Sequence, residues 1–162
     1  MCSNNQALDA LKVDLSTLGS IIQQEISVPM DERYELGLQF QFHNRETYDS
    51  SQIPERPSGA NHRACSNDAR YSALSPRDKV EMGAELDFEI IVSATDGKLF
   101  QKKRYRSRCI QGWGFLTKSR HFGYVDLQNG KQQITIINHS PVVMENGFTA
   151  TLFLAGAGAG YP

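Results

Sequence analysis

Residues Ala84 to Arg108 read AELDFEIIVSATDGKLFQKKRYRSR. Two runs of alternating character meet at Asp96-Gly97, a pair suited to a tight turn because such turns need φ > 0 at their centre. Counting outward from a two-residue loop sets Thr95 opposite Lys98 and Ala94 opposite Leu99. Further down, Glu89 stands opposite Arg104, Asp87 opposite Arg106 and Glu85 opposite Arg108. Leu86, Phe88, Ile90 and Val92 take the other face, with Tyr105 across from Phe88. A slip of one residue would break the charge pattern and the apolar pattern together, so each supports the other.

The flanks extend an all-β reading. Tyr34, Leu36, Leu38, Phe40 and Phe42 alternate with Arg33, Glu35, Gln39, Gln41 and His43, a strand with one face for the core. Phe122 to Leu127 and Gln132 to Asn138 follow the central hairpin, joined at Asn129-Gly130. Asn146-Gly147 marks a further turn and Phe148 to Leu154 a last apolar strand. The expected fold is mainly β, an antiparallel sandwich or partly closed barrel. Leu36, Leu38, Phe40, Phe42, Leu86, Phe88, Ile90, Ile134, Ile136, Leu152 and Leu154 are its expected core.

At the N-terminus the period changes. Leu8, Leu11, Leu15, Leu18 and Ile22 recur at three and four, and Ser3 with Gln6 resembles a capping box. Residues 3–26 therefore read as an α-helix, and the chain divides into residues 1–28, a helix for packing or oligomerisation, and residues 29–162, the β domain. Within the latter, residues 44–79 lose periodicity and read as a long polar loop with one turn of helix or short strand near Ala69 to Leu74.

Composition narrows the function. The chain has 162 residues, 40% hydrophobic and 22% charged, enough for one packed domain. A net charge of −1 gives no global attraction to nucleic acid, and the basic run Lys98 to Arg108 spends three charges on Glu85, Asp87 and Glu89. No apolar run is long enough to span a membrane, and no signal peptide is read. Cys2, Cys65 and Cys109, odd in number and widely spaced, fit free thiols in a cytoplasmic setting or an intracellularly assembled particle. There is no nucleophile elbow, P-loop or metal-ligand spacing among His43, His62, His121 and His139, so neither catalysis nor a cofactor is expected.

Two families offer resemblances. The hairpin at 84–108, then Gly112-Trp113-Gly114-Phe115 and Gly123 to Ile136 (GYVDLQNGKQQITI), resemble the second half of a MATH domain. That resemblance implies a peptide-binding adaptor with an oligomerising stalk. A helix followed by a β-sandwich is similar to actinoporin-type cytolysins, which implies membrane activity.

The leading expectation is a non-enzymatic protein that assembles with itself into a shell, tube or fibre. Leu8, Leu11, Leu15, Leu18 and Ile22 are its interface candidates, helped by the Gly/Ala tail from Ala155 to Pro162. The alternative is a recognition module for a peptide or a glycan, with Trp113, Phe115 and Tyr105 as its aromatic platform.

Overall fold

The computed structural model describes residues 6–29, 31–51, 59–109, 112–142 and 147–156. Among these residues, nine strands form two sheets. The first is ordered β1 (Gln6–Val13), β9 (Phe148–Gly156), β3 (Glu32–Phe42), β7 (Thr117–Leu127), β6 (Gly112–Gly114). The second is ordered β2 (Gly19–Val28), β8 (Gly130–Asn138), β4 (Leu86–Ser93), β5 (Leu99–Ser107). All pairings are antiparallel, and the sheets stack as a sandwich rather than closing into a barrel. The core lies between them and holds all eleven residues expected from alternation. Stacking of Phe88 on Phe122, with ring centroids 4.7 Å apart, joins the two sheets.

The expected N-terminal helix is not there. The first helix of the described chain is α1 (Arg45–Ser50), and residues 6–28 form β1, a turn and β2. Asp14 makes the turn by accepting hydrogen bonds from the Ser16 amide (2.9 Å) and hydroxyl (2.5 Å), a local preference that competes with helix. Gly19 then takes φ +102°, and the buried Asn138 side chain ties the turn by donating to the carbonyls of Leu15 and Thr17. The misleading leucine spacing has a cause. Leu8 pairs with Leu154 and Leu11 with Leu152, so three positions of β1 cover two of β9. A bulge of this kind converts a two-residue repeat into a spacing of three.

The central hairpin has the expected register from Leu86 opposite Ser107 to Val92 opposite Gln101. Its turn is longer than two residues. The Ala94 carbonyl accepts from the Gly97 amide, Gly97 sits at φ +92°, and Ser93 pairs with Leu99, so a bulge absorbs one residue.

The polar stretch carries more structure than a loop. It contains α1, a 3-10 turn at Gly59–Ala64, α2 (Asp68–Ser72) and α3 (Pro76–Met82). Asn44, Asn67 and Ser75 cap the three α-helices with their side chains, and Pro76 starts the last. Each helix is too short to show a hydrophobic period. The free-thiol expectation is also overturned: Cys65 and Cys109 form a disulfide, pinning this insertion to the end of β5. The tail beyond Gly156 and the Asn146 half of the third turn signal lie outside the described residues.

Candidate functional site: a basic cleft between two strand edges

The first sheet has an uneven border. β6 covers only Thr117 to Ser119 of β7, leaving the rest of β7 as an edge beside β5 of the other sheet. The bulge between Leu36/Gly123 and Gly37/His121 sets Phe122 inward. Gly123, at φ +143°, is required there because a Cβ would lie 3.0 Å from the Tyr105 ring. This close approach lets side chains of β5 reach the carbonyls of β7. Tyr105 donates from its hydroxyl to Tyr124 O (2.6 Å), Lys103 to the same oxygen (3.4 Å) and Gln101 to Asp126 O (2.6 Å).

Between the two strands lies a cleft of about 490 Å³. Its walls are Arg33 of β3, Lys103 to Arg106 of β5, and Phe122, Gly123, Tyr124 and Asp126 of β7. Arg33 and Lys103 thus share the cleft with one carboxylate, Asp126, while Arg104 and Arg106 border it and carry their side chains to Asp87. Tyr124 is half exposed, with the Arg33 guanidinium 5.7 Å from its ring centre. Tyr105 is buried, and its burial, then the charge of Asp126, pushes its hydroxyl pKa up to about 12. It stays a neutral donor and is no general base.

On the outer face of the second sheet, Arg104 grips Asp87, Arg106 approaches the same carboxylate at 3.4 Å, and Lys102 approaches Glu89 at 3.6 Å. Burial opposes ionisation of Asp87, but the hydrogen bonds and charge of Arg104, aided by Arg106 and His139, outweigh it and hold the carboxyl below its ordinary range. Asp87 and Arg106 are partners directly across the ladder, and Glu85 meets Arg108 at 2.6 Å, with Asp68 of α2 on the other side of that guanidinium.

A second polar centre is structural. Lys118 and Arg120 occupy inward positions of β7. Lys118 donates to Tyr48 O and Ser51 Oγ and lies over the Tyr48 ring, anchoring α1. Arg120 donates to Ala84 O and Ser107 O, while its Nε and Nη2 are packed without a hydrogen-bond partner. Burial pushes its pKa down to about 10. Both nitrogens are shielded from solvent.

The residues expected to form a site are scattered. Leu15 and Ile22 are buried in the core, Leu11 packs against it, Leu18 is exposed on the turn, and Leu8 stands in β1. Leu11, Leu15, Leu18 and Ile22 therefore form no continuous stripe. Trp113 and Phe115 are exposed at the β6–β7 hairpin, whereas Tyr105 faces β7 from the other sheet, so the three do not make one platform. Alternation does not mark Arg33 and Tyr124 as residues of a site, although both line the cleft. The one local signal for the cleft was Gly123 beside Tyr124, a glycine inside a strand where another group approaches.

Residues 10–155 match a family described as a domain of unknown function, DUF5625. The chain belongs to this family. DUF5625 is neither of the two families resembled in the sequence. No curated protein matches the chain significantly. Among solved structures, this DUF5625 chain is similar to a protein from Sulfurospirillum deleyianum whose crystal structure is known, at 18% identity and a TM-score of 0.62, covering 93% of this chain and 97% of that one. At that identity the likeness supports the sandwich fold alone.

Proposed function

We propose that the protein is a non-enzymatic recognition module whose β5–β7 cleft takes an acidic ligand. The observation that carries this reading is the lining: Arg33 and Lys103 beside Asp126 and the half-exposed Tyr124 ring, bordered by Arg104 and Arg106, which share the single carboxylate of Asp87. A cleft with an excess of one sign of charge raises the local concentration of the opposite sign, and an exposed aromatic adds contact area at small entropic cost. Self-assembly has no comparable support, because the leucines that suggested it are divided between core and turn. The Cys65–Cys109 disulfide favours an oxidising compartment over the cytoplasm.

The test is binding of a labelled oligoglutamate, followed by fluorescence anisotropy, to the wild type and to an Arg33→Ala/Lys103→Ala variant. The expected result is salt-sensitive binding that weakens about tenfold or more in the variant, with circular dichroism unchanged. Equal binding by both proteins would remove the cleft as the site.

A further inference from the structure

The two strand edges that flank the cleft are not equivalent. β7 has its outward carbonyls at Tyr124 and Asp126 taken by side chains from β5. β5 has β4 on one side and, among the described residues, no strand on the other. Among the described residues, no group bonds to the backbone of residues 99–106 on that open side. A row of amide N–H and carbonyl groups is therefore presented to solvent along most of a nine-residue strand. An open edge with these properties is a template for another strand.

Charge decides which strand. Lys102, Arg104 and Arg106 stand on one face of β5 and Lys103 on the other, with side chains of the first three about half exposed. Asp87 and Glu89 answer the first three, so three cations meet two carboxylates on that face, and Lys103 adds a further charge on the other. A second copy of β5, paired antiparallel, would set Lys and Arg against Lys and Arg, and like charges directly opposite destabilise a ladder. The same charges deter aggregation of this edge with basic or neutral strands. An acidic strand reverses the sign of every one of these terms.

We propose that the protein binds an extended acidic segment of a partner protein by strand addition to the open edge of β5, the partner's carboxylates meeting Lys102, Lys103, Arg104 and Arg106. This rests on the reading of the cleft as a recognition site and fixes its mode. Main-chain hydrogen bonds supply the affinity, and alternate carboxylates reach the outer face and the cleft in turn.

The experiment uses the full chain and a fluorescent peptide of alternating Glu and Thr, about ten residues long to match an ordinary strand. Two analogues carry N-methyl groups, one on every Glu and one on every Thr, preserving the charge. Only one set of peptide N–H groups can face β5, so strand addition predicts that one analogue loses about tenfold or more in affinity while the other binds like the parent. A Lys102→Glu variant, changed at an exposed position outside the cleft lining, should weaken the parent peptide several-fold. If the parent and both analogues bind equally, strand addition is overturned while recognition in the cleft survives. If none binds but oligoglutamate does, strand addition is again overturned and the cleft reading stands. If neither the peptides nor oligoglutamate binds, both readings fall, and the basic edge serves only to keep copies apart.

Discussion

Arg104 closes Nε and Nη2 on the two carboxylate oxygens of Asp87, at 2.7 and 2.8 Å, although the residue directly across the ladder from it is Glu89. The register is the one that alternation predicts, yet this ion pair runs diagonally, while Arg106 meets Asp87 directly across. The two-pronged grip explains why: a guanidinium gains more from a paired carboxylate than from a single contact. The consequence is a pH dependence of known sign. The Asp87 carboxyl lies below its ordinary range in the fold, so its contribution is present above its unfolded value and is lost as pH falls below about 4 through the folded value. Asp87→Asn should flatten this acid limb in urea melts taken across the range. An acid limb unchanged by the substitution would show that other carboxylates dominate it.

The disulfide permits a separate measurement. Cys65 and Cys109 are 44 residues apart, and closing a loop of that size in the unfolded chain is worth about 4 kcal/mol by the chain-entropy relation. Reduction should lower the unfolding free energy by up to about that amount. Thiol titration of the denatured chain should find two more thiols after reduction than before. An equal thiol count before and after would restore the free-thiol reading.

Phe88 tests the core between the sheets. It is fully buried, pairs across the ladder with Tyr105 and stacks on Phe122 at an interplanar angle of 11°. Phe88→Ala should cost about 3–5 kcal/mol through lost transfer energy and the cavity left behind. A loss below about 1 kcal/mol in urea or guanidinium melts would place the ring outside the core.

What could be read in advance follows from whether a signal is local. β3 and β4 keep an unbroken two-residue alternation, so their faces and the hairpin register were legible. The early part of β7 was hidden because its inward positions are Lys118 and Arg120, cations whose partners come from α1, Ala84 and Ser107. Beyond Gly123, the cleft had no local signal. It depends on β5 and β7 meeting across the sandwich and on Arg33 lying near Asp126, 93 residues away in sequence. The disulfide needed the fold to bring Cys65 to Cys109. At the N-terminus the competing signals were present: Ile22, Ile26 and Val28 fall on one strand face, and Asp14-x-Ser16 followed by Gly19 is turn chemistry. A bulge in β1 disguised the alternation.

Leu15 and Leu18 separate the two descriptions of the N-terminal segment directly. On an amphipathic helix these residues, three apart, share one apolar stripe, and an aspartate at either would harm the same surface. In the two-strand arrangement they differ sharply: Leu15 is 0% exposed and Leu18 69% exposed. Leu15 is also held at its backbone, its carbonyl accepting from the Val142 amide and the Asn138 side chain. Leu15→Asp would bury a carboxylate among apolar neighbours and should cost more than about 3 kcal/mol or prevent folding. Leu18→Asp faces solvent on a turn and should stay within about 0.5 kcal/mol of the wild type. Urea melts with light scattering on the same samples measure stability and particle mass together. A common loss of mass in both variants, with β-sheet circular dichroism retained, would restore the helical stripe and with it self-assembly. A large loss of stability in Leu15→Asp alone, at unchanged mass for Leu18→Asp, is the outcome that two strands and an Asp14 turn require.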